Sequence, residues 1–487
     1  MRLKTRAQMA SRRLIRELVK PLLARASEDD LIKVINILWR YSPVPKHRED
    51  FGKLVGLLKN YPSAGELLRR LCNELTPHAR RRLVETLVIN PIVSAPLRKE
   101  RESMGMAAPF LWAISPTNRC GLKSCVGCYD RGDFIGGEIT ELPFETADGA
   151  VKEFQRDLGV YNFTITGGEP REWGGSFNPA ENWLLRLARG NPESSIQFYT
   201  HGVETRTDSS GDLVIEPMSP AYVAEIAKLG NLFPAISLEG GPETTNRRRG
   251  GGVRDVYGPA TESMARLHQA GAVFFVSLTV FRQNLYEITS DEMIKEAIRL
   301  GAIIAWFFPW VPVAETEVEK VRKLQLTPRE RRWLAHRIVE IRQTFPIFAA
   351  DFWDDGSLVM DANKGNVMCM AAGRLYGHLN CRGDWEFCVF GHHATDNIHN
   401  GIGPAQAVDS DFFRLFRSKH PWSCTPGDPC PMIDHNEVIR EIIQESGAKP
   451  TRPLATCVLQ GPVADYLKDE YGPQYVELCR QEYGVGQ

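Results

Sequence analysis

Residues 109–129 read PFLWAISPTNRCGLKSCVGCY, a short apolar strand running straight into a loop that carries Cys120, Cys125 and Cys128. A second strand, YNFTIT over 161–166, ends in Gly167, Gly168, Glu169 and Pro170. Strand ends that lead into polar loops point to β–α units with binding loops at the carboxyl edge of a parallel sheet. The thiol spacing is Cys-x4-Cys-x2-Cys, with Tyr129 directly after the last of them. A four-iron cluster normally takes four thiolates, so a run that offers three leaves one iron open to a small molecule. Cys-x2-Cys by itself also suits a zinc knuckle or a redox dithiol. Zinc needs a fourth ligand, however, and the next histidine, His201, lies far beyond the short spacings of structural zinc sites.

Outward from this stretch the same texture continues. Apolar runs at 195–200 (SIQFYT), 234–239 (PAISLE), 273–280 (VFFVSLTV) and 303–310 (IIAWFFPW) give six strands in all. Helical stretches at 182–189, 220–229, 261–269 and 291–299 lie between them. Six β–α units make a partial barrel, an α/β fold, over 109–345. Residues 1–108 read as a helical domain, with Ser27 to Asp30 as a helix start and further helices near 65–75 and 77–88. A long helix over 317–342 leads to a region, 346–440, rich in Gly, Cys, His, Asn and Trp with weak strand periodicity, as suits a metal-organised module. Helices around 437–445 and 463–471 close the chain, with a helical tail over 441–487.

Length and composition narrow the function. At 487 residues the chain exceeds the size at which one core stops growing, so two or three domains are expected. Fifty-nine basic and 60 acidic residues leave a net charge of -1, with no global field to attract nucleic acid. Eleven cysteines, an odd number and partly clustered, argue against a disulfide framework and for a reducing, cytoplasmic setting. No apolar run is long enough to span a membrane, and the N-terminal stretch lacks the apolar block of a signal peptide. Between Arg2 and Arg25 a basic, amphipathic helix is expected; such a helix either packs on a neighbouring domain or lies on an anionic membrane surface.

The segment SPTNRCGLKSCVGCY resembles the radical SAM superfamily, whose usual spacing is Cys-x3-Cys-x2-Cys with an aromatic beside the last Cys. This chain has one more residue in the first gap. TGGEP resembles the turn with which that family holds the methionine end of S-adenosylmethionine, which implies Gly167, Gly168, Glu169 and Pro170 as cofactor contacts beside Tyr129. The resemblance further implies an open (β/α)6 barrel of TIM type, and a [4Fe-4S] cluster with an open iron site on Cys120, Cys125 and Cys128. Later strand ends then offer Ser237, Glu239, Ser277 and Thr279 toward the cofactor. Arg248 and Arg249 are candidates for its carboxylate or for a substrate anion, and Trp306, Phe308 and Trp310 line the substrate cavity, flank adenine or pack the barrel interior. His201 stands where relatives carry the Asn of a Thr-Asn-Gly turn, which implies either an acid–base group near the pocket or a structural hydrogen bond.

A second group follows in CMAAGRLYGHLNCRGDWEFCVF, where Cys369-x13-Gly-x4-Cys388 recurs and Cys430 comes later. This resembles the SPASM or shorter twitch extension. It implies one auxiliary iron–sulfur cluster on Cys369, Cys388 and Cys430, with Cys424 or Cys381 as the fourth ligand; His392 or His393 could give a nitrogen instead. Asp351, Trp353, Asp354, His378, Asp396 and Asn397 are candidate substrate or supporting groups from this module. Motifs over residues 80 to 450 resemble a group of bacterial and archaeal SPASM-like radical SAM proteins.

The resemblance implies an enzyme that cleaves S-adenosylmethionine reductively and abstracts hydrogen from an unactivated carbon of an organic substrate. A reducing partner such as flavodoxin or ferredoxin is implied too. An auxiliary cluster that accepts an electron points to oxidative bond formation or dehydrogenation. Modification of a lipid or isoprenoid chain, a peptide-modifying maturase, and a non-enzymatic iron–sulfur protein are the competing expectations.

Overall fold

The computed structural model describes residues 33, 62–123, 125–130, 137–352, 369–423 and 425–485. The basic stretch 2–25, the helix start at Ser27, Trp353, Asp354 and Cys424 lie outside the described residues.

Thirteen strands are described: β1 (Leu111–Ile114), β2 (Asn162–Ile165), β3 (Ser195–Thr200), β4 (Val203–Thr207), β5 (Leu213–Pro217), β6 (Leu232–Leu238), β7 (Phe275–Val280), β8 (Ile304–Pro309), β9 (Phe348–Asp351), β10 (His378–Leu379), β11 (Trp385–Glu386), β12 (His393–Ala394) and β13 (Lys449–Pro450). The main sheet has the order β11-β10-β1-β2-β3-β6-β7-β8-β9. All neighbours in it run parallel except β10 and β11. The six strands expected from the sequence form its centre, in chain order. β9 extends them beyond β8, and the short β10 adds to the free edge of β1, so residues far along the chain complete the sheet on both sides.

Alternation along the strands decides which face does what. Ile236 and Leu238, Val276 and Leu278, and Ala305 and Phe307 are buried in the large core beneath the flanking helices. Their alternate neighbours point the other way, into the barrel. There Gln197, Tyr199, Trp306 and Phe308 keep part of their surface, the pattern expected of a wall that borders a cavity.

One end of that interior is closed by the N-terminal helices Pro62–Glu74 and Pro77–Val84. Leu67, Leu71, Leu75 and Ala79 pack against Phe233, Ala235 and Phe275, which precede Ser237 and Ser277 on the same face. Arg70 fixes this plug by donating from Nη1 to the carbonyls of Ala302 (3.1 Å) and Pro346 (2.7 Å). The barrel is therefore stoppered at the amino ends of its strands, and the loops that carry the candidate site gather at the carboxyl ends.

Two elements differ from the sequence reading. The long helix is two helices, Val318–Leu324 and Pro328–Thr344. Pro328 lacks the N–H that would continue the first helix, and Thr327 starts the second with a reciprocal cap to Glu330. The stretch after Thr200 is a hairpin, β4 paired with β5, rather than a plain turn.

Candidate active site

The cysteine loop leaves β1 at the carboxyl edge of the sheet and is held from three directions. From one side, the Trp310 indole donates to the Gly127 carbonyl (2.9 Å) and Arg248 Nε donates to the Val126 carbonyl (3.0 Å). Val126 N–H returns a bond to the Arg248 carbonyl (3.1 Å). Gly127 has φ +67°, and a Cβ there would sit 2.8 Å from Phe281 and Trp310, so the clamp needs glycine. Trp310, expected to face substrate or adenine, is 5% exposed and spends its one donor on the loop.

From the second side, Tyr129 joins the loop to the glycine turn. Its hydroxyl lies 2.6 Å from Thr166 Oγ1 and accepts from Gly167 N–H (2.8 Å). The turn packs backbone on backbone: Gly168 N–H donates to Thr117 O (2.8 Å) and Glu169 N–H to Arg119 O (2.7 Å). A Cβ on Gly168 would lie 2.2 Å from Arg119 O, and one on Gly167, whose φ is +104°, 2.7 Å from Thr117 O.

From the third side comes an acidic pair. Glu172 accepts from Gly121 N–H (3.0 Å), next to Cys120, and from Thr205 Oγ1 (3.0 Å) on β4. Burial pushes its carboxyl up, but His201 and these donors together hold it below its ordinary value. The carboxylate of Glu169 is fully buried and accepts from Thr200 Oγ1 (2.7 Å), His201 N–H (3.0 Å) and Arg171 N–H (3.3 Å). His201 Nδ1 accepts from Val203 N–H (3.2 Å), and its Nε2 stands 3.2 Å from Glu169 Oε2, off hydrogen-bond alignment. The histidine thus sits among the two carboxylates, 4% exposed.

At the far strand ends, Glu239 after β6 gathers both arginines. Arg248 Nη1 donates to its Oε1, as do Arg249 Nε (2.8 Å) and Nη2 (2.6 Å). Two cations share one carboxylate beside the thiols; burial pulls the Arg249 pKa down, but Glu239 first, and then Cys125 and Cys128, raise it above its ordinary value. Ser237 and Ser277 are register partners, followed across β8 by Trp306; Thr279 pairs with Phe308. These hydroxyls and rings therefore form two rows on the inner wall. Phe308 meets Tyr199 (5.3 Å) and Phe352 (5.9 Å), and Phe390 meets Phe352 (5.5 Å) and Tyr129 (5.9 Å), so an aromatic chain runs from the barrel wall to the cysteine loop.

The donor set suits an iron–sulfur cluster. Cys120, Cys125 and Cys128 lie close enough for charge on one to act on the others. Burial, then neighbouring negative charge, pushes Cys120 well up and Cys128 to about 12. Such thiols become thiolates only against a strong positive charge such as a metal centre. Among the described residues no three His, Cys, Asp or Glu side chains are gathered to chelate one metal ion. A multi-iron cluster spreads its thiolates over separate irons and does not ask for that convergence.

A second group of thiols forms in the C-terminal module. Cys369 feels Cys430 and Cys388, and Tyr376 feels all three, its hydroxyl 2.8 Å from Cys388 Sγ. Burial raises Cys388 to about 11 and Cys430 to about 12. Cys381 lies in the turn after β10, against the Arg382 guanidinium (3.9 Å). His392 turns to Glu386 (3.5 Å), and His393 is on β12. Asp351 ends β9. Asp396 and Asn397 line an open groove of about 470 Å³ with Asp384, His399 and Lys449.

The fold, a partial (β/α) barrel with helical and further strand extensions, is similar to that of solved S-adenosylmethionine- and peptide-bound structures. Streptococcus suis SuiB bound to precursor peptide SuiA is similar at 14% identity and TM-score 0.53, over 84% of this chain and 90% of that one. SuiB bound to S-adenosylmethionine gives 14% identity and TM-score 0.47 over 76% and 78% of the two chains. Native anSMEcpe with bound AdoMet gives 13% identity and TM-score 0.49 over 70% and 97%. No protein-family profile and no curated protein matches the chain.

Sequence reasoning missed Glu172, Thr200, Phe352 and Phe390. Glu172 stands three residues after Glu169 in GGEPRE, a visible acidic repeat; the others gain their place only when separate strands are brought together.

Proposed function

We propose that the chain is a radical SAM enzyme that abstracts hydrogen from an unactivated carbon of an organic substrate, with oxidative bond formation or dehydrogenation as the outcome. The observation that carries this reading is the three-thiol loop clamped against a glycine turn at the carboxyl edge of a barrel stoppered at its other end. Cys120, Cys125 and Cys128 would hold a [4Fe-4S] cluster, and Cys369, Cys388 and Cys430, with Cys424 or Cys381, an auxiliary one. When bound, the reduced cluster and S-adenosylmethionine supply a 5'-deoxyadenosyl radical. Around that chemistry Trp310, Arg248 and Tyr129 keep the loop in place, and Ser237, Ser277 and Thr279 present hydroxyls to a ligand. The plug and the aromatic wall of Tyr199, Trp306 and Phe308 keep water from a reactive centre.

The interior favours an organic substrate with substantial apolar surface, because the inner wall is aromatic and Glu239 at its rim is already paired with Arg248 and Arg249. A peptide substrate is the second reading; its support is the likeness in fold to SuiB, which was crystallised with a precursor peptide. A small acidic reductant such as flavodoxin or ferredoxin would supply the electron. No described helix is long and apolar enough to cross a membrane, and the basic stretch 2–25 would give peripheral contact with an anionic surface.

Anaerobic reconstitution with iron and sulfide, followed by S-adenosylmethionine and dithionite, tests the reading. The expected product is 5'-deoxyadenosine, absent in Cys120→Ala. Cleavage retained in Cys120→Ala would overturn the ligand assignment. About eight irons per chain are expected for two cubane clusters, against about four if the auxiliary cluster is absent.

A further inference from the structure

A buried polar network that the proposed chemistry does not use brackets the cysteine loop. Ser115, the last residue before the loop, has its Oγ 2.7 Å from His378 Nε2, and His378 Nδ1 lies 2.6 Å from Glu386 Oε2. Glu386 Oε1 accepts from Asn380 Nδ2 (3.0 Å) and from Thr451 Oγ1. Arg452 Nη2 lies 3.9 Å from Glu386 Oε2, while its Nη1 donates to Asp130, two residues past Cys128. Ser115, Asp130, His378, Glu386 and Arg452 are all 5% exposed or less. The order Ser–His–Glu is that of a nucleophile relay, but no substrate could reach a hydroxyl 3% exposed.

The connectivity indicates another use. Ser115 and Asp130 flank all three thiols, and both are tied to one carboxylate, Ser115 through His378 and Asp130 through Arg452. That carboxylate belongs to the C-terminal module, two residues before Cys388 on β11, and its partners Thr451 and Arg452 follow β13. We propose that Glu386 is a positioning residue through which the C-terminal module holds the two ends of the cysteine loop in register. The idea rests on the proposed function only for what the loop does; the coupling itself is a property of the metal-free chain. Removing the carboxylate charge takes the buried acceptor from His378 and one of the two carboxylates that face Arg452, leaving Asp130 as the other, and such loss is felt at both ends of the loop. The two thiol groups are thereby linked mechanically, and also through rings, since Phe352 meets Tyr376 (5.9 Å) beside Cys388 as well as Phe390 beside Tyr129.

The test uses full-length, metal-free protein, read by deuterium uptake of peptides covering 115–130 and by the rate at which iodoacetamide labels Cys120, Cys125 and Cys128. Glu386→Gln is expected to raise both by about tenfold or more. Ser115→Ala, which cuts only the His378 branch, is expected to give a smaller rise. Asp409→Asn is the control: it breaks another buried ion pair, between Asp409 of the same module and Arg101 of the N-terminal helices (2.5 Å), outside this network, and should leave the loop as protected as in the wild type. Wild-type protection in Glu386→Gln, or an equal rise in Asp409→Asn, would overturn the proposal. If Glu386→Gln does not fold, Arg452→Lys and Ser115→Ala carry the same comparison with the same two outcomes. A holoenzyme that fails to cleave S-adenosylmethionine would sink the radical reading without touching these rates.

Discussion

Gly168 shows how closely two backbone segments approach in this site. Its absent Cβ leaves room for the Arg119 carbonyl, and the neighbouring Glu169 N–H bonds that same oxygen. A methyl group 2.2 Å from a backbone oxygen has no flexible side chain to push aside. Gly168→Ala should therefore destabilise the fold by about 1–3 kcal/mol and loosen the segment that enters the thiol loop. Thermal unfolding and S-adenosylmethionine affinity would both report it; unchanged values would mean that the turn is not packed on the loop as described. The thiols and the two glycines were legible in the sequence, because their spacing is local. The work of Glu169, Arg248 and Arg249 was not. Their expected partner was a ligand, whereas the structure gives Glu169 three protein donors and gives both arginines to Glu239. Which donor meets which carboxylate depends on strand register, and no single stretch of chain contains that.

At the scale of elements the six central strands were legible from apolar runs ending in polar residues, and they appear in the order read. Short elements escaped. β10 and β11 have two residues each, too few to show a period, and β10 becomes a strand only because β1 offers it an open edge. Helix continuity was over-read at 317–342, where apolar periodicity runs on through Leu324 and Leu326 but Thr327, Pro328 and Glu330 start a new helix. Thr327→Ala removes the side-chain acceptor for Glu330 N–H and half of the reciprocal cap. A loss of about 1 kcal/mol is expected, read as a lower denaturation midpoint. The helix itself should survive, since Leu334, Ile338 and Ile341 bury one face of it.

Viewed as one molecule, the protein surrounds its barrel with parts from both ends of the chain: helices before β1 stopper the floor, and a module after β9 reaches back to β1 and the thiol loop. Acid sensitivity should appear in that module. Burial, and then Arg374, lower His420 to about 3, so the unfolded chain binds its proton first as pH falls. Its stabilising contribution as a neutral ring is present above the ordinary histidine range near 6.5 and is lost progressively from there down to about 3. His420→Phe keeps a flat ring against Trp422, 3.6 Å away between centroids, and removes the titration; it should flatten that acid limb in pH-dependent unfolding.

The floor makes a sharper demand. Leu75 is 6% exposed and packs among the rings and side chains on the inner face of β6 and β7. Leu75→Ala empties this contact where the neighbouring strands cannot collapse, since their hydrogen-bonded register holds them apart; about 2–5 kcal/mol should be lost. If the helices act only as a remote domain, that loss would show in their own amides and leave the barrel unchanged. If they are the stopper, deuterium uptake must rise in β6 and β7, and abortive 5'-deoxyadenosine formation by reconstituted protein must rise with it, because the loosened interior admits hydrogen donors other than the substrate. Protection of β6 and β7 equal to that of the wild type would refute the stopper.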